Sequence, residues 1–297
     1  MNSPLVSIII PCYDSGKSIL RAINSSVNQT FPNLEVIVVN DGSKNFETLC
    51  ILENVSDSKV KVINLEFNSG LPAARNAGFN AAKGAFVVFL DADDWFEYDA
   101  VELMLKSAKG SRSKCFVYSD IIFEGRAHGT SNRPYREFSQ LSVNKFPYSI
   151  MIKKESINWS PLYDEDMQYG LEDWNLNLKL LENNFEPIRL TKPVFHYFIS
   201  PEGMLNAKTK RFYFSTWKQI QRKRTILYSN LSLRNRFKNE IKSSSIIFPL
   251  FSGLMILFSK IPNKQVLDFI FFVIDKAFYS TKHILSYFIS NILPNAK

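Results

Sequence analysis

Polar and acidic side chains follow four short apolar runs in the first hundred residues of the chain. The four groups are Pro11-Cys12-Tyr13-Asp14, Asn40-Asp41-Gly42-Ser43, Glu66-Phe67-Asn68-Ser69-Gly70 and Asp91-Ala92-Asp93-Asp94. Carboxylate oxygens bind hard cations, and glycines let a ligand come close to the backbone. If the groups meet at one edge of a sheet, they are suited to a nucleotide and its divalent ion.

Asp91 and Asp93 are the first candidates for metal ligands. Alternate residues at the end of a strand project to the same side, so the two carboxylates can share one cation, or a cation and a ribose. Such an ion takes its other ligands from water and phosphate oxygens, and it would offset charge on a departing pyrophosphate. The alternative is structural, with Asp93 or Asp94 capping a helix predicted to begin near Tyr98.

Three further charged groups have both a functional and a structural interpretation. Asp41 could accept hydrogen bonds from a base or ribose, or could form a turn that caps the next helix. Arg75 begins a predicted helix, where it could bind a diphosphate or remain a solvated charge. Glu172 and Asp173 open another predicted helix, where acids favour the helix dipole and could also supply a general base.

Aromatic side chains crowd the segment around those two acids. They are Trp159, Tyr163, Tyr169 and Trp174. Rings beside carboxylates are typical of a wall that binds sugar, and they can raise the pKa of a carboxylate toward that of a useful base. Trp159, Tyr169 and Trp174 are therefore predicted to form an acceptor wall. The other interpretation places these rings in the hydrophobic core.

An alternation of strands and helices must position these residues. Apolar runs predict strands buried on both faces at Val6–Ile10, Leu34–Val39, Val60–Leu65 and Ala85–Leu90. Helices are predicted at Ser18–Gln29, Phe46–Val55, Leu71–Ala82 and Tyr98–Lys109. The order indicates an open, doubly wound α/β sheet. Beyond it, strands are predicted at Cys115–Ile122 and Tyr148–Ile152, a loop at Gly125–Gln140 and a helix at Glu172–Asn183.

The composition narrows the class of protein. With 297 residues, 45% of them hydrophobic, the chain can bury a large core, which excludes disorder as the default. Three cysteines without paired spacing argue against a disulfide scaffold or a zinc site and indicate a reducing compartment. The first residues lack the pattern of a secretory leader, because the apolar run from Leu5 ends in a turn at Pro11.

The basic charge is concentrated in one segment near the carboxyl end. Residues 206–243 contain eleven Lys and Arg against one acid, a net +10, which leaves −2 for the rest of a chain whose total is +8. Apolar helices follow at Ile246–Phe258 and Val266–Phe278, the first too short and the second too charged to predict a membrane span. This region is predicted to bind an anionic membrane surface, or to pack on the catalytic domain or a second subunit. It has no nucleic-acid reader motif.

Five motifs together resemble the family-2 inverting glycosyltransferases of the GT-A fold. They are VSIIIPCYDSG, VIVVNDGS, EFNSGLPAARNAG, GAFVVFLDADDW and YGLEDWNLNLKLLENN, spread over residues 4–197. The resemblance implies a GT-A domain over residues 1–205, with a Rossmann-like nucleotide-sugar-binding half at 1–97 and an acceptor half at 98–205. Residues 206–297 would then form a basic, then apolar, helical appendage.

The resemblance also implies roles for individual residues. The segment Pro11-Cys12-Tyr13 and Asp41 would hold the nucleobase, with Asp14 also in the nucleotide-sugar site. Asn68 and Arg75 would line the nucleotide and diphosphate. Asp93 would bind Mn²⁺ or Mg²⁺, with Asp91 nearer the ribose and Ala92 between them. Asp173, next to Glu172, would be the general base that deprotonates an acceptor hydroxyl. The family's usual metal-reaching histidine is not at its offset, and His196 is expected to be structural instead.

The sequence thus predicts a metal-dependent inverting transferase for cell-surface polysaccharide synthesis. The donor would be a UDP-sugar and the acceptor a glycan or lipid-linked sugar, at the cytoplasmic face of the cell membrane, with a homo-oligomer as one form. Two alternatives stay open. A sugar-nucleotide nucleotidyltransferase would need a Gly-rich basic loop, which residues 13–17 match poorly, and a non-catalytic membrane-associated scaffold would not need to keep its four acids, Asp41, Asp91, Asp93 and Asp173.

Overall fold

Four parallel strands form the first half of a single mixed sheet. The computed structural model describes residues 3–110, 114–200, 210–243 and 247–260. Strand β1 (Val6–Cys12) lies between β2 (Leu34–Asn40) and β4 (Phe86–Phe89), and β3 (Val60–Asn64) pairs with the outer side of β2. Every residue of β1 and β4 is buried, as expected for strands covered on both faces. The four predicted strands are confirmed, but the predicted burial of β3 on both faces is wrong, because it is the edge strand and none of its residues is buried.

Helices connect these strands in the predicted order. They are α1 (Ser18–Val27), α2 (Phe46–Glu53), α3 (Leu71–Ala81) and α4 (Ala100–Lys109). Helix α3 lies so close to β1 that a Cβ atom on Gly78 would stand 2.4 Å from Ile9, and only glycine permits this contact. Because Arg75 is part of α3, the close packing of this helix on β1 also positions Arg75.

The second half of the sheet mixes strand directions. Strand β8 (Ile150–Lys153) is antiparallel to both β4 and β6 (Cys115–Gly125), and β9 (Glu186–Ile199) runs parallel to β6. Two short strands, β5 (Trp95–Phe96) and β7 (Gly129–Ser131), pair with β9 and β6. The predicted helix before β9 is present as α5 (Glu172–Glu182). The sequence did not predict β5 or β9, and β7 lies inside the segment predicted as loop.

Three helices after the acceptor half pack onto it. They are α6 (Lys210–Lys223), α7 (Asn230–Ser243) and α8 (Ile247–Phe258). Trp217 of α6 is completely buried and stacks on Trp174 with ring centroids 6.0 Å apart. These helices therefore share the core of the acceptor half, in agreement with the packing interpretation. The predicted boundary between the GT-A domain and the helical appendage, after residue 205, falls in 201–209, which is outside the described residues. The predicted helix Val266–Phe278 is also outside the described residues.

Acids of the acceptor half neutralise part of the basic segment. Arg224 is buried and donates to Asp164 at 2.8 Å and to Glu182 at 3.3 Å. Arg236 pairs with Glu137 at 3.2 Å. The segment is consequently less of a free polycation than its composition indicates. Over the described ranges, no helix combines the length and the apolar character that a membrane crossing requires.

Candidate active site

A cavity of about 770 Å³ opens at the carboxyl ends of β1 and β4. Eight residues predicted for the site line it: Pro11, Tyr13, Arg75, Asp91, Ala92, Asp93, Glu172 and Asp173. The first six come from the parallel half of the fold and the last two from the start of α5 in the acceptor half. The cavity thus brings together the acids predicted for metal binding and for proton transfer.

Arg75 connects these two groups of acids. Its side chain is buried, and its two terminal nitrogens donate to Asp91 Oδ1 and to Glu172 Oε1, both at 2.7 Å. Burial disfavours the guanidinium charge, but the neighbouring acids, Asp91 foremost, outweigh it and raise the pKa of Arg75 well above its usual value. In this structure Arg75 bridges two carboxylates 16 and 97 residues away along the chain, so it is not a solvated charge.

Asp93 is suited to a cation. It lines the cavity, and burial together with the charge of Asp91 raises its pKa to about 6. A divalent ion would offset both effects by supplying the opposite charge. In the part of the chain that the structure describes, no three His, Cys, Asp or Glu side chains cluster as a complete metal site. Two carboxylates fit a Mg²⁺ or Mn²⁺ ion that is also bound by water and phosphate.

Asp94 holds the turn that presents these two acids. It accepts a hydrogen bond from the Tyr148 hydroxyl and another, at 2.7 Å, from the backbone N–H of Phe198. The same hydroxyl accepts the backbone N–H of Asp91 at 2.8 Å. Helix α4 begins after Asp99 with no side-chain cap, so the interpretation of Asp93 or Asp94 as its cap is wrong.

Asp173 also lines the cavity, in the first turn of α5. Leu171, the residue before this helix, has a φ of 63°, a left-handed conformation that is uncommon outside glycine. Asp173 Oδ1 accepts the N–H of Trp174 at 2.7 Å, and Oδ2 accepts the side-chain N–H of Asn144 at 2.9 Å. Burial, and then the charge of Glu172, raise the pKa of Asp173 to about 7, which suits a general base near neutral pH.

A buried network holds Asn144 in place. Gln140 is completely buried and donates from Nε2 to Asn144 Oδ1 at 3.1 Å. The indole N–H of Trp174 in turn donates to the Gln140 carbonyl at 2.8 Å. Asn144 could not be predicted from the sequence, because it is a single polar residue in a segment without regular periodicity. Its position in the fold identifies it as the residue that orients Asp173.

The three aromatic residues predicted to form an acceptor wall pack against other rings outside the cavity, so this prediction is wrong. Trp174 is completely buried under Trp217, Trp159 packs edge-on against Phe185, and Tyr169 lies against Phe212. None of the three predicted rings lines the cavity. Other rings do so, from strand ends that are distant in sequence: Tyr13, Phe123, Phe146, Tyr148, Tyr197 and Phe198.

Four other predicted residues do not line the cavity, and two of them, Asp41 and Asp14, hold loops around it. Asp41 is buried, and its two carboxylate oxygens accept the N–H groups of Ser69 and Gly70 at 2.8 and 2.9 Å. Asp14 Oδ1 accepts the N–H groups of Lys44 and Asn45. The thiol of Cys12 is buried, and Asn68 also lies outside the lining.

Gly42 explains why the loops that contain Asp41 and Asn68 lie so close together. Its φ is +67°, and a Cβ atom there would stand 2.7 Å from the backbone nitrogen of Asn68. A side chain would therefore push the two loops apart.

His196 has a structural environment. Its ring stacks on Trp95 with centroids 4.7 Å apart, and Nε2 lies 2.8 Å from a carboxylate oxygen of Glu97. It lies on β9 where that strand pairs with β5, and it does not line the cavity. The structure thus gives His196 the structural surroundings expected from its displaced position in the sequence.

Comparisons with known proteins place this site in a family. The profile described as "Glycosyl transferase family 2" matches residues 7–160. A putative glycosyltransferase, EpsH of Bacillus subtilis, is 26% identical over 90% of this chain and 84% of its own length. Chondroitin synthase of Pasteurella multocida is 40% identical over 174 residues. This aligned region is 58% of this chain and only 17% of that protein.

The fold is also found among solved structures. Staphylococcus aureus TarS, crystallised as residues 1–349 in complex with UDP, has a TM-score of 0.59 and 22% identity over 78% of this chain and 68% of that one. This similarity confirms the predicted GT-A type of α/β fold. The profile covers more than half of the 297 residues and includes β4 with the Asp91 and Asp93 that follow it. The chain belongs to glycosyl transferase family 2.

Proposed function

We propose that the protein transfers a sugar from a UDP-sugar to a hydroxyl of a glycan or lipid-linked acceptor, with inversion at the anomeric carbon. The observation that carries this proposal is that Asp91, Asp93 and Asp173 line one cavity, in which Arg75 bridges Asp91 and Glu172, the neighbour of Asp173. A pair of carboxylates that could hold a cation, in the same cavity as a base of raised pKa, is suited to a single displacement reaction.

The donor would lie over the ends of β1 and β4. Tyr13, about half exposed at the mouth of the cavity, offers a ring for the nucleobase, and Pro11 lies beside it. Asp93, with Asp91, would hold Mn²⁺ or Mg²⁺, which when bound stabilises the negative charge of the departing diphosphate. Asp94 and Tyr148 would keep the two carboxylates in the orientation that this requires.

The transfer itself would occur between the donor and Asp173. The acceptor oxygen attacks the anomeric carbon as the bond from that carbon to the UDP oxygen breaks. The hydroxyl proton goes to the Asp173 carboxylate, which Asn144 orients through Oδ2. Because attack and departure occur on opposite faces of one carbon, an α-linked donor would give a β-linked product.

Relatives support the choice of substrates. The synthase that shares 40% identity over part of this chain is named for a polysaccharide, and the TarS structure contains UDP. These names motivate the proposal of a UDP-sugar donor and of a role in polysaccharide synthesis.

We also propose that the enzyme works at the cytoplasmic face of the membrane. Leu250, Leu254 and Leu257 are each about half exposed along α8, and α7, which contacts α8, has exposed cations at Arg234 and Lys238. Exposed apolar side chains near cations favour an anionic lipid surface. Flotation with phosphatidylglycerol vesicles at low salt tests this. Equal behaviour with phosphatidylcholine vesicles, or no flotation, would contradict it.

A panel of nucleotide sugars tests the proposed reaction. Full-length protein is incubated with each compound with and without Mn²⁺, and release of the nucleoside diphosphate is measured. We expect Mn²⁺-dependent release of UDP from one UDP-sugar, loss of release in Asp93→Ala, and no change in the control Asp57→Ala, whose residue is exposed in a distant turn. Release of pyrophosphate from UTP and a sugar phosphate would instead identify a nucleotidyltransferase.

A further inference from the structure

A buried acid of helix α7 holds a short turn in the acceptor half. Residues 138–142 form this turn, which includes one turn of 3₁₀ helix and is buried throughout. Glu240 is also buried, and it is the one acid in the basic segment 206–243. One of its carboxylate oxygens accepts the backbone N–H groups of Phe138 and Ser139 at 2.7 and 2.9 Å, and the other accepts the Ser139 hydroxyl. Glu240 thus binds the start of the turn.

Aromatic side chains of the same helical appendage hold the end of the turn. The carbonyl of Leu141 accepts the Tyr228 hydroxyl at 2.6 Å and the indole N–H of Trp217 at 3.1 Å. The carbonyl of Ser142 accepts the hydroxyl of Tyr213 at 3.3 Å. Four side chains from α6, α7 and the segment between them therefore bond to the backbone of one buried turn. Buried backbone groups with such partners are costly to move, because each would lose its hydrogen bond away from water.

The turn supports the residue that orients the base. Gln140, in the middle of the turn, uses both ends of its side-chain amide. Its Nε2 donates to Asn144 Oδ1 at 3.1 Å, and its Oε1 accepts the backbone N–H of Lys145 at 2.8 Å. Asn144 then donates to Asp173 Oδ2 at 2.9 Å. Glu240, Gln140 and Asn144 therefore connect α7 to the Asp173 carboxylate through hydrogen bonds and the short backbone of the turn.

Two contacts from this region determine where the Asp173 carboxylate lies. Asn144 holds Oδ2, and the indole N–H of Trp174, the next residue, donates to the Gln140 carbonyl at 2.8 Å. The other oxygen, Oδ1, accepts a hydrogen bond from within its own helix, the backbone N–H of Trp174 at 2.7 Å. A shift of about 1 Å in a reacting group lowers a rate by up to about 100-fold, so small movements of the turn would change the efficiency of the base.

We propose that Glu240 is a positioning residue for the general base, and that the C-terminal helices take part in catalysis through it. This inference rests on the proposed function, in which Asp173 is the base. Glu240 does not line the cavity, and it acts through the 138–142 turn, Gln140 and Asn144. The inference gives a catalytic role to an appendage that lies outside the family profile at residues 7–160.

Steady-state kinetics on full-length variants test the role of Glu240. Release of UDP is measured with Mn²⁺ and the UDP-sugar that the panel identifies, with water as the acceptor. The kcat is divided by the fraction of protein that binds UDP in calorimetry, which removes unfolded protein from the comparison. Glu240→Ala should lower kcat by about 10-fold, the loss expected of Asn144→Ala, with UDP affinity within about twofold. Glu240→Gln should retain most of kcat, because its amide oxygen still accepts the two backbone N–H groups.

A double-mutant cycle shows whether Glu240 acts through Asn144. Once Asn144 is replaced by alanine, Glu240→Ala should lower kcat by less than about twofold further, because the two residues act on the base in series. Glu35→Ala is the matched control. Glu35 also accepts a serine hydroxyl, from Ser7, and a backbone N–H, from Lys83, both at 2.6 Å, but it does not line the cavity and lies in the parallel half. Its kcat per UDP-binding molecule should equal that of the wild type.

A milder variant tests the same turn if Glu240→Ala does not fold. Tyr228→Phe removes the hydroxyl that donates to the Leu141 carbonyl and keeps the aromatic ring. It should lower kcat by about threefold with unchanged UDP affinity. This loss should also disappear in the Asn144→Ala background.

Three results would overturn the inference. The first is a wild-type kcat in Glu240→Ala or, where that protein does not fold, in Tyr228→Phe. The second is the same fractional loss of kcat with and without Asn144. The third is a loss of kcat that is matched by a loss of UDP affinity or by the Glu35→Ala control.

Asp173→Asn in the same assay distinguishes failure of the inference from failure of the proposed function. Full turnover in that variant refutes the proposed base, and the inference with it. A large loss in Asp173→Asn beside a wild-type kcat in Glu240→Ala refutes the inference alone.

Discussion

Replacing Asp173 by asparagine should stabilise the fold while it removes the proposed base. The pKa of this carboxyl is raised from 3.8 to about 7, so the folded state binds its proton more tightly than the unfolded chain does. Ionising Asp173 within the fold at pH 8 therefore costs up to about 4 kcal/mol, taking about 1.4 kcal/mol for each pKa unit. The uncharged amide of Asp173→Asn avoids this cost.

The substitution also has a cost that does not depend on pH. An amide at 173 can still accept the N–H of Trp174, but one of its atoms would face the amide of Asn144 as a second donor. Losing that hydrogen bond costs about 1 kcal/mol. The net gain at pH 8 should therefore be at most about 3 kcal/mol.

Urea unfolding at two pH values separates the two contributions. Because the raised pKa belongs to the folded state, the stability that protonated Asp173 contributes is lost as pH rises through about 7. The advantage of Asp173→Asn over the wild type should thus grow by up to about 3 kcal/mol between pH 5 and pH 8. Acids that do not interact with Asp173 titrate equally in both proteins, and Glu53→Gln, on the exposed side of α2, is a matched control. An advantage of the same size at both pH values would refute the raised pKa of Asp173.

Three further substitutions test how the site is built. Arg75→Met should destabilise the protein by about 3 to 5 kcal/mol in urea unfolding, because it leaves the buried Glu172 and the partly buried Asp91 without a counter-charge. Asn144→Ala should lower kcat by about 10-fold with unchanged UDP affinity, since it frees Asp173 to rotate; an equal change in UDP affinity would contradict a role in orienting the base. Glu240→Ala should cost about 3 kcal/mol, because two backbone N–H groups and one hydroxyl at 138–139 lose their acceptor, and a stability equal to the wild type would show that α7 does not hold the acceptor half.

The parallel half of the fold was predictable from sequence because its signals are local. Each strand is a short apolar run, and the acids that matter directly follow it, as Asp91 and Asp93 follow β4. The carboxyl ends of parallel strands necessarily meet at one edge, so the location of the cavity followed from the topology alone.

The acceptor half was less predictable because distant contacts determine it. Strand β9 contains two prolines, which disfavour a strand, yet its pairing with β6 along ten residues overrides that preference. Arg75 resembles an ordinary helix charge until Glu172, 97 residues later, is placed beside it. Trp174 lies in an aromatic and acidic segment that is typical of a sugar-binding wall, but the indole of Trp217 covers its ring. No local pattern contains this information.

Transfer by Asp173→Asn, measured beside its affinity for UDP, is the most direct test of the proposed mechanism. With the donor identified by the nucleotide-sugar panel, we expect turnover to fall by about 100-fold to 10,000-fold, the usual contribution of a general base. UDP affinity should stay within about twofold, because Asp173 hydrogen-bonds to Asn144 and Trp174 and not to Asp91 or Asp93. Full turnover by Asp173→Asn would contradict its assignment as the base, and so would a loss of activity that is matched by a loss of UDP binding.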